Sequence, residues 1–163
     1  MNKTIFLIGL ITLTVLVLAF HFFICFNCVA ENQTVELYYY NEEKDTDEEG
    51  NLMCSEQGLE PVERIIPNSE TLIEDTLQLL IQGGLTEEEQ DRGIGTEYPL
   101  AGLELVGTDL KRGVLTLTFD DPLNKTSGGS CRVSVLWMQI ERTASQFSEV
   151  KEVRFEPEWY FQP

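Results

Sequence analysis

The sequence predicts an α+β fold: one small domain, with two main helices packed on one face of a largely antiparallel sheet, preceded by an N-terminal transmembrane helix. Three observations carry this expectation. Residues 73–81 and 133–147 repeat apolar side chains at helical spacing. Several short segments alternate apolar and polar residues, the period of a half-buried strand. Residues 5–26 run for twenty-two positions without a formal charge. The order strand, strand, helix, hairpin, helix, strand lets both helical stripes and the inward strand faces be buried together.

The N-terminal run, IFLIGLITLTVLVLAFHFFICF, is about 33 Å long as a helix at roughly 1.5 Å per residue, enough to cross a hydrocarbon core of about 30 Å. The apolar core of a secretory signal is shorter, about 7–15 residues. Length therefore favours a retained anchor, with Cys28-Val29-Ala30 offering the alternative of cleavage after Ala30. Lys3 and the amino terminus are the only positive groups before the run, so the positive-inside rule leaves the N-terminus cytoplasmic. The expected organisation is an anchor or signal over residues 1–30 and an extracytoplasmic domain over 31–163. The protein would be a single-pass protein of the cell membrane, or secreted if cleaved. Neither Cys25 nor Cys28 follows the small residue that a lipid-modified cysteine requires. His21, the only histidine, lies within the run.

Of the 11 Lys and Arg residues only Lys3 precedes residue 31, so the exported part carries 10 against 28 Asp and Glu, a net of −18. With no basic patch, nucleic acid is excluded as a partner and anionic lipid is disfavoured. Without a histidine, the exported part has no Ser-His or Cys-His nucleophile and no histidine-bound zinc.

The elements follow in order. Val35, Leu37 and Tyr39 alternate with Glu36, Tyr38 and Tyr40, a first strand with an aromatic outer face. The polar segment 41–60 places Asp45, Asp47, Glu49, Gly50 and Glu56 at positions 1, 3, 5, 6 and 12 of a calcium-loop register, with Glu where Asp or Asn is usual at position 5. It is a candidate Ca2+ site, with a solvated acidic surface as the alternative. PVERIIP, residues 61–67, is a short strand bounded by prolines and so an edge. Asn68 or Ser69 is suited to cap the first helix, whose stripe is Ile73, Leu77, Leu80 and Ile81 and which Gly83-Gly84 ends. Thr86 with Glu89 forms a capping box for a second, short helix closed by Gly93.

Residues 103–109 and 114–119 make a hairpin around the three-residue loop Lys111-Arg112-Gly113. The connection 126–130 lacks the ending of a phosphate-binding loop, so no nucleotide is expected. Ser130 is placed to cap a long helix with Val133, Leu136, Trp137, Ile140, Ala144 and Phe147 in its apolar stripe, and Val153 and Phe155 mark the last strand. Cys54 and Cys131 are candidates for a disulfide in an oxidising compartment, with two free thiols as the alternative. Asn32 and Asn124 fit glycosylation sequons, which matter only in a eukaryotic secretory pathway.

From Val35 to Phe155 the chain resembles a GerMN domain, a module of bacterial sporulation and spore-germination proteins and of many other cell-envelope proteins. The resemblance is carried by TVELYYY, LLIQGGLTEEEQDRG, the proline-closed EYP, LELVGTDLKRGVLTLTF and IERTASQFSEVKEVRF, in that order. The family's Gly-Pro after the Leu-Leu pair is Gly83-Gly84 here. The resemblance implies a small α+β domain similar to ring-building modules, displayed outside the membrane, with no catalytic residues to carry over.

Three functions follow. The first is a non-catalytic, membrane-anchored binding or scaffold domain in a cell-envelope assembly, needing no cofactor. Its partners would be cell-envelope proteins or a second copy of itself, reached through the edge strand at Val62 and Ile65 and the tail at Trp159 and Tyr160. The second is a calcium-dependent adhesion or sensing module built on Asp45, Asp47, Glu49 and Glu56. The third is a cell-wall glycan hydrolase using two carboxylates.

Overall fold

The computed structural model describes residues 31–162, so the expected N-terminal helix lies outside the described residues. Among the described residues no helix is long and apolar enough to cross a membrane. Strand β1 (Asn32–Tyr40) pairs antiparallel with β2 (Leu59–Pro67), Leu37 opposite Val62. Two helices follow, α1 (Leu72–Ile81) and the short α2 (Glu87–Asp91). Then come the hairpin of β3 (Glu104–Lys111) and β4 (Val114–Asp120), the long helix α3 (Ser130–Ala144), and β5 (Glu152–Glu156).

The α+β class and the antiparallel pairings stand. The strands, however, make two sheets rather than one: β1-β2, and β3-β4-β5 with β5 parallel to β4. The parallel pair arises because α3 carries the chain back from the end of β4 to its beginning, where Glu152 faces Val114. A helix between two strands of one sheet is the usual means of making them parallel.

The core is the expected one. Val35, Leu37 and Tyr39 of β1 are at most 1% exposed, as are Leu77 and Leu80 of α1, Leu115 and Leu117 of β4, and Val133, Leu136 and Ile140 of α3. Burial of this kind supplies about 25 cal/mol per Å² of apolar surface. Helix α3 packs across β1 and against α1. Two members of the predicted patterns depart. Tyr40, expected on the outer face, is buried because its hydroxyl turns back onto Asp45. Trp137, expected in the core stripe, is 39% exposed and meets Phe155 edge-on instead.

Local signals hold at the capping box and the glycine stop, and slip at two caps and in the length of the hairpin loop. The Thr86–Glu89 capping box is present in both directions. Gly83 takes φ +66° after α1, and a Cβ there would meet the Tyr98 carbonyl at 2.0 Å, so no other residue fits. Helix α1 begins two or three residues later than Ser69 or Asn68 implies. Thr71 is its N-cap residue without a side-chain cap bond, and Ser69 and Thr71 instead donate to Asp75. Ser130 is the first residue of α3 and Gly129 precedes it as N-cap. The hairpin loop is two residues, with Arg112 and Gly113 both at positive φ between the paired Lys111 and Val114. A bulge at Val106 interrupts β3.

The open edges of the sheets are treated differently. On the side of β1 away from β2, the Gln146 amide accepts from Glu36 N–H (2.9 Å) and donates to Glu36 O (2.7 Å). Next along the strand, Thr143 Oγ1 accepts from Tyr38 N–H (2.9 Å), and Tyr40 exchanges two backbone bonds with Gly95. Residues 36, 38 and 40 are the alternate positions that face outward along a strand's edge, so this edge is closed.

Candidate functional site

The acidic loop between β1 and β2 is built inward from Asp45, which is 3% exposed. Its carboxylate accepts from the Tyr40 hydroxyl and from the Ser55 N–H and hydroxyl. Burial pushes this carboxyl up, but the hydrogen bonds from Ser55 and Tyr40 outweigh it and hold the pKa below the ordinary value. Asp47 is tied into its own turn by Glu49 N–H and by Asn51 N–H and amide. Glu56 lines a separate small pocket with Glu141 and Arg142. The predicted calcium residues Asp45, Asp47, Glu49 and Glu56 therefore do not converge. Among the described residues no group of three or more His, Cys, Asp or Glu side chains is arranged to hold a metal ion. The register is right in sequence, but the first position faces the core and its carboxylate already accepts three hydrogen bonds from its own chain.

A second cluster surrounds Glu60, whose carboxylate accepts from Asn41 (2.6 Å) and pairs with Lys44 (2.7 Å) and, more loosely, Arg92 (3.7 Å). Cys54 of the same loop is joined to Cys131 by a disulfide, their Cα atoms 5.3 Å apart over a sequence separation of 77. The bond fastens the acidic loop to the first turn of α3. Beside it opens a cleft of about 780 Å³ lined by Tyr40, Glu42, Glu43, Leu52, Glu97 and Arg132 among others. Its one cation is spoken for: Arg132 pairs with Glu97 (2.6 Å) and donates to the Lys125 and Ser127 carbonyls. The described residues contain no histidine, so the cleft has no imidazole to move a proton.

A different surface lies beyond β5. A groove of about 690 Å³ is lined by Thr116 and Arg154 from one face of the sheet, and by Val153, Phe155 and Trp137 from the other. It passes around the edge of β5 and is closed by the tail at Glu156, Glu158, Trp159, Phe161 and Gln162. Phe161, 2% exposed, packs on Phe119 and Phe155 and anchors the tail. Trp159 is left 72% exposed.

Of the four predicted contact residues, Ile65 and Trp159 are each 72% exposed, and Tyr160 is half-buried with its hydroxyl accepting from Asp121 N–H. Val62 is 4% exposed, in the core beneath β2, and cannot be a contact residue. The alternation of β2 places Val62 inward and Ile65 outward. Sequence reading found Trp159 but not its neighbours Trp137, Arg154, Glu156 and Glu158, which only the parallel return of β5 brings together. The clustered Trp-Tyr-Phe of the tail was the one signal available.

These features describe an α+β domain, free of histidine among the described residues, with a hydrogen-bonded polar loop and an open aromatic groove. A family model described as "Germane: Sporulation and spore germination" matches residues 36–158, and the chain belongs to that family. Among solved structures it is similar to the tandem GerMN domains of the sporulation protein GerM from Bacillus subtilis. That match has TM-score 0.53 and 21% identity, over 80% of this chain and 41% of the other. It is also similar to the first GerMN domain of the same protein, with TM-score 0.51 and 20% identity over 76% of this chain and 80% of the other. The chain spans about two fifths of the tandem structure. No curated protein matches its sequence. The domain is of GerMN type.

Proposed function

We propose that this protein is a non-catalytic, membrane-anchored domain that works outside the membrane by binding other proteins of the cell envelope, in an assembly of the kind that serves sporulation or germination. The observation that supports this best is the family membership over residues 36–158, together with a fold shared with GerMN domains. The absence of histidine from the described residues and the hydrogen-bonded state of Asp45 favour binding over catalysis. In this reading residues 5–26 remain as the anchor and hold the domain at the outer surface.

The test is chemical crosslinking of intact cells that make the protein, followed by isolation from the membrane fraction and mass spectrometry of what is attached. One or two envelope proteins in stoichiometric amounts are expected. A ladder of the chain's own multimers would redirect the reading to ring or homo-oligomer formation. Recovery as a lone monomer rejects it. Alkaline extraction of the same membranes should leave the protein in the pellet, and release into the supernatant would argue for cleavage after Ala30.

A further inference from the structure

The four strand edges that face away from their sheet partners are not equally protected. That of β1 is closed by Gln146, Thr143 and Gly95. The β2 edge contains Pro61 and ends on Pro67, which lack the N–H that an added strand would need. The β3 edge is interrupted by the bulge at Val106. Strand β5 has no such device within its own length, and Pro157 stands just past its last residue. It pairs only with β4, and among the described residues the one further hydrogen bond to its backbone joins Glu152 N–H to Gly113 on that same side. Its protection is short length, charge and the Pro157 that follows it, leaving the outward groups of Val153 and Phe155 open. The aromatic groove runs along this bare edge.

Charge then says what fits. Arg154 is paired with Glu152 (2.7 Å), while no ion pair among the described residues engages Glu156 or Glu158. Both are exposed at the groove, on a domain whose net charge from residue 31 onward is −18. A second copy of this chain would bring the same acidic edge, and like charges set opposite one another oppose pairing.

We propose that β5 is the docking edge of this domain. It receives an extended, basic segment of a partner protein, which adds as a strand beside residues 152–156 and places an apolar side chain in the groove between Trp137 and Trp159. The added main-chain bonds supply affinity, the groove selects the apolar side chain, and Glu156 and Glu158 select Lys or Arg beside it. This rests on the protein-binding reading above and names the surface and the partner's chemistry.

The experiment places a photoreactive benzoylphenylalanine at Gln162, in the groove, or at Ile65 on β2 as a control, in the full-length protein in its own membrane. Crosslinked peptides are sequenced after illumination. The expected result is that Gln162 captures one segment of a partner protein that is net positive and free of proline, whereas Ile65 does not. Its yield should fall roughly fivefold or more with Glu156→Lys/Glu158→Lys, and similarly with Trp159→Ala. All three replaced side chains are exposed, and an unchanged unfolding midpoint separates lost binding from lost fold.

Capture of another copy of this chain, of lipid, or of an acidic segment overturns the proposal, as does a yield indifferent to the charge reversal. Capture from Ile65 alone would overturn the β5 edge and leave the protein-binding reading standing. Capture from neither position, with no partner in the chemical crosslinking, removes both.

Discussion

The loop 41–60 and the tail 152–162 are both acidic and both lie at the surface, yet they are held in opposite ways. In the loop, polar groups are turned inward and matched: Asp45 to Tyr40 and Ser55, Glu60 to Asn41 and Lys44, and Cys54 to Cys131. No buried side-chain nitrogen or oxygen among the described residues lacks a partner. In the tail, beyond the backbone ladder of β5 and the Tyr160 bond to Asp121, the side-chain fastening is apolar, through Phe155 and Phe161, and Glu156, Glu158 and Trp159 face solvent. A buried carboxylate hydrogen-bonded by its own chain contributes to the fold, and an ion would have to displace those donors. An edge whose bonding groups and ring faces are unfilled contributes little to the fold and remains available to a partner.

That contrast is broken most severely at the disulfide. Closing a loop of this length restricts the unfolded chain by about 4 kcal/mol in the chain-entropy model. The double variant Cys54→Ser/Cys131→Ser should therefore lose about 4 kcal/mol in denaturant unfolding. If it loses under about 1 kcal/mol, the loop is held by its hydrogen bonds alone.

Next is Asp45→Ala. Truncation leaves the Tyr40 hydroxyl and the Ser55 N–H without their acceptor in a buried setting, which costs about 3 kcal/mol. The unfolding midpoint should drop by the same amount in chelator and in millimolar calcium. A wild-type midpoint that rises with calcium, with the rise abolished in Asp45→Ala, would restore the ion-binding reading of this loop.

A smaller effect is expected at Glu89, which joins two elements. It completes the capping box of α2 and takes a two-pronged ion pair from Arg64 on β2, at 2.7 and 2.8 Å. The Arg64 hydrogen bonds, opposed by burial and aided by Thr86, lower its pKa to about 2. A carboxyl depressed in the folded state contributes stability above its unfolded value, near 4.3, and that contribution is lost as pH falls toward 2. Asp45 and Glu60 are also depressed and add in the same direction, whereas Glu141, raised by burial and by Glu56, gains as pH falls. Acid unfolding of the wild type should therefore begin below about pH 4.3. Glu89→Gln should cost about 2 kcal/mol at neutral pH and flatten this acid limb. An equal acid slope in both proteins would assign the limb to the other carboxylates.

The same contrast explains which features could be read from the chain. Helical stripes, the hairpin, Gly83 and the Thr86–Glu89 box depend on residues within a few positions of one another, and each was found. Apart from two caps, the hairpin loop length and the inward Val62, the features that stay hidden are nonlocal. Nothing near Glu152 says that it will lie beside Val114 and parallel to it, so the division into two sheets and the groove around β5 were hidden. The setting of Asp45 is hidden for a related reason: the calcium register counts spacing, and spacing does not report that Tyr40 and Ser55 already hydrogen-bond the carboxylate. Val62 and Ile65 lie on one edge strand, but strand alternation sends Val62 inward and Ile65 outward.

The smallest expected effect on stability is the most informative about the tail. Trp159 touches Tyr160 edge-on but is 72% exposed, so its removal uncovers little apolar surface beyond what water already reaches. Trp159→Ala should change the unfolding free energy by less than about 0.5 kcal/mol, against about 4 kcal/mol for Phe161→Ala two positions on, where the ring fills the space between Phe119 and Phe155. Denaturant curves of the two variants measure the difference directly. A large loss in Trp159→Ala would show the ring to be part of the packing, leaving the groove without its free aromatic wall. A near-neutral change means that the chain keeps a large exposed indole beside an unprotected strand edge without gaining stability from it, the arrangement expected of a surface shaped for contact with another protein.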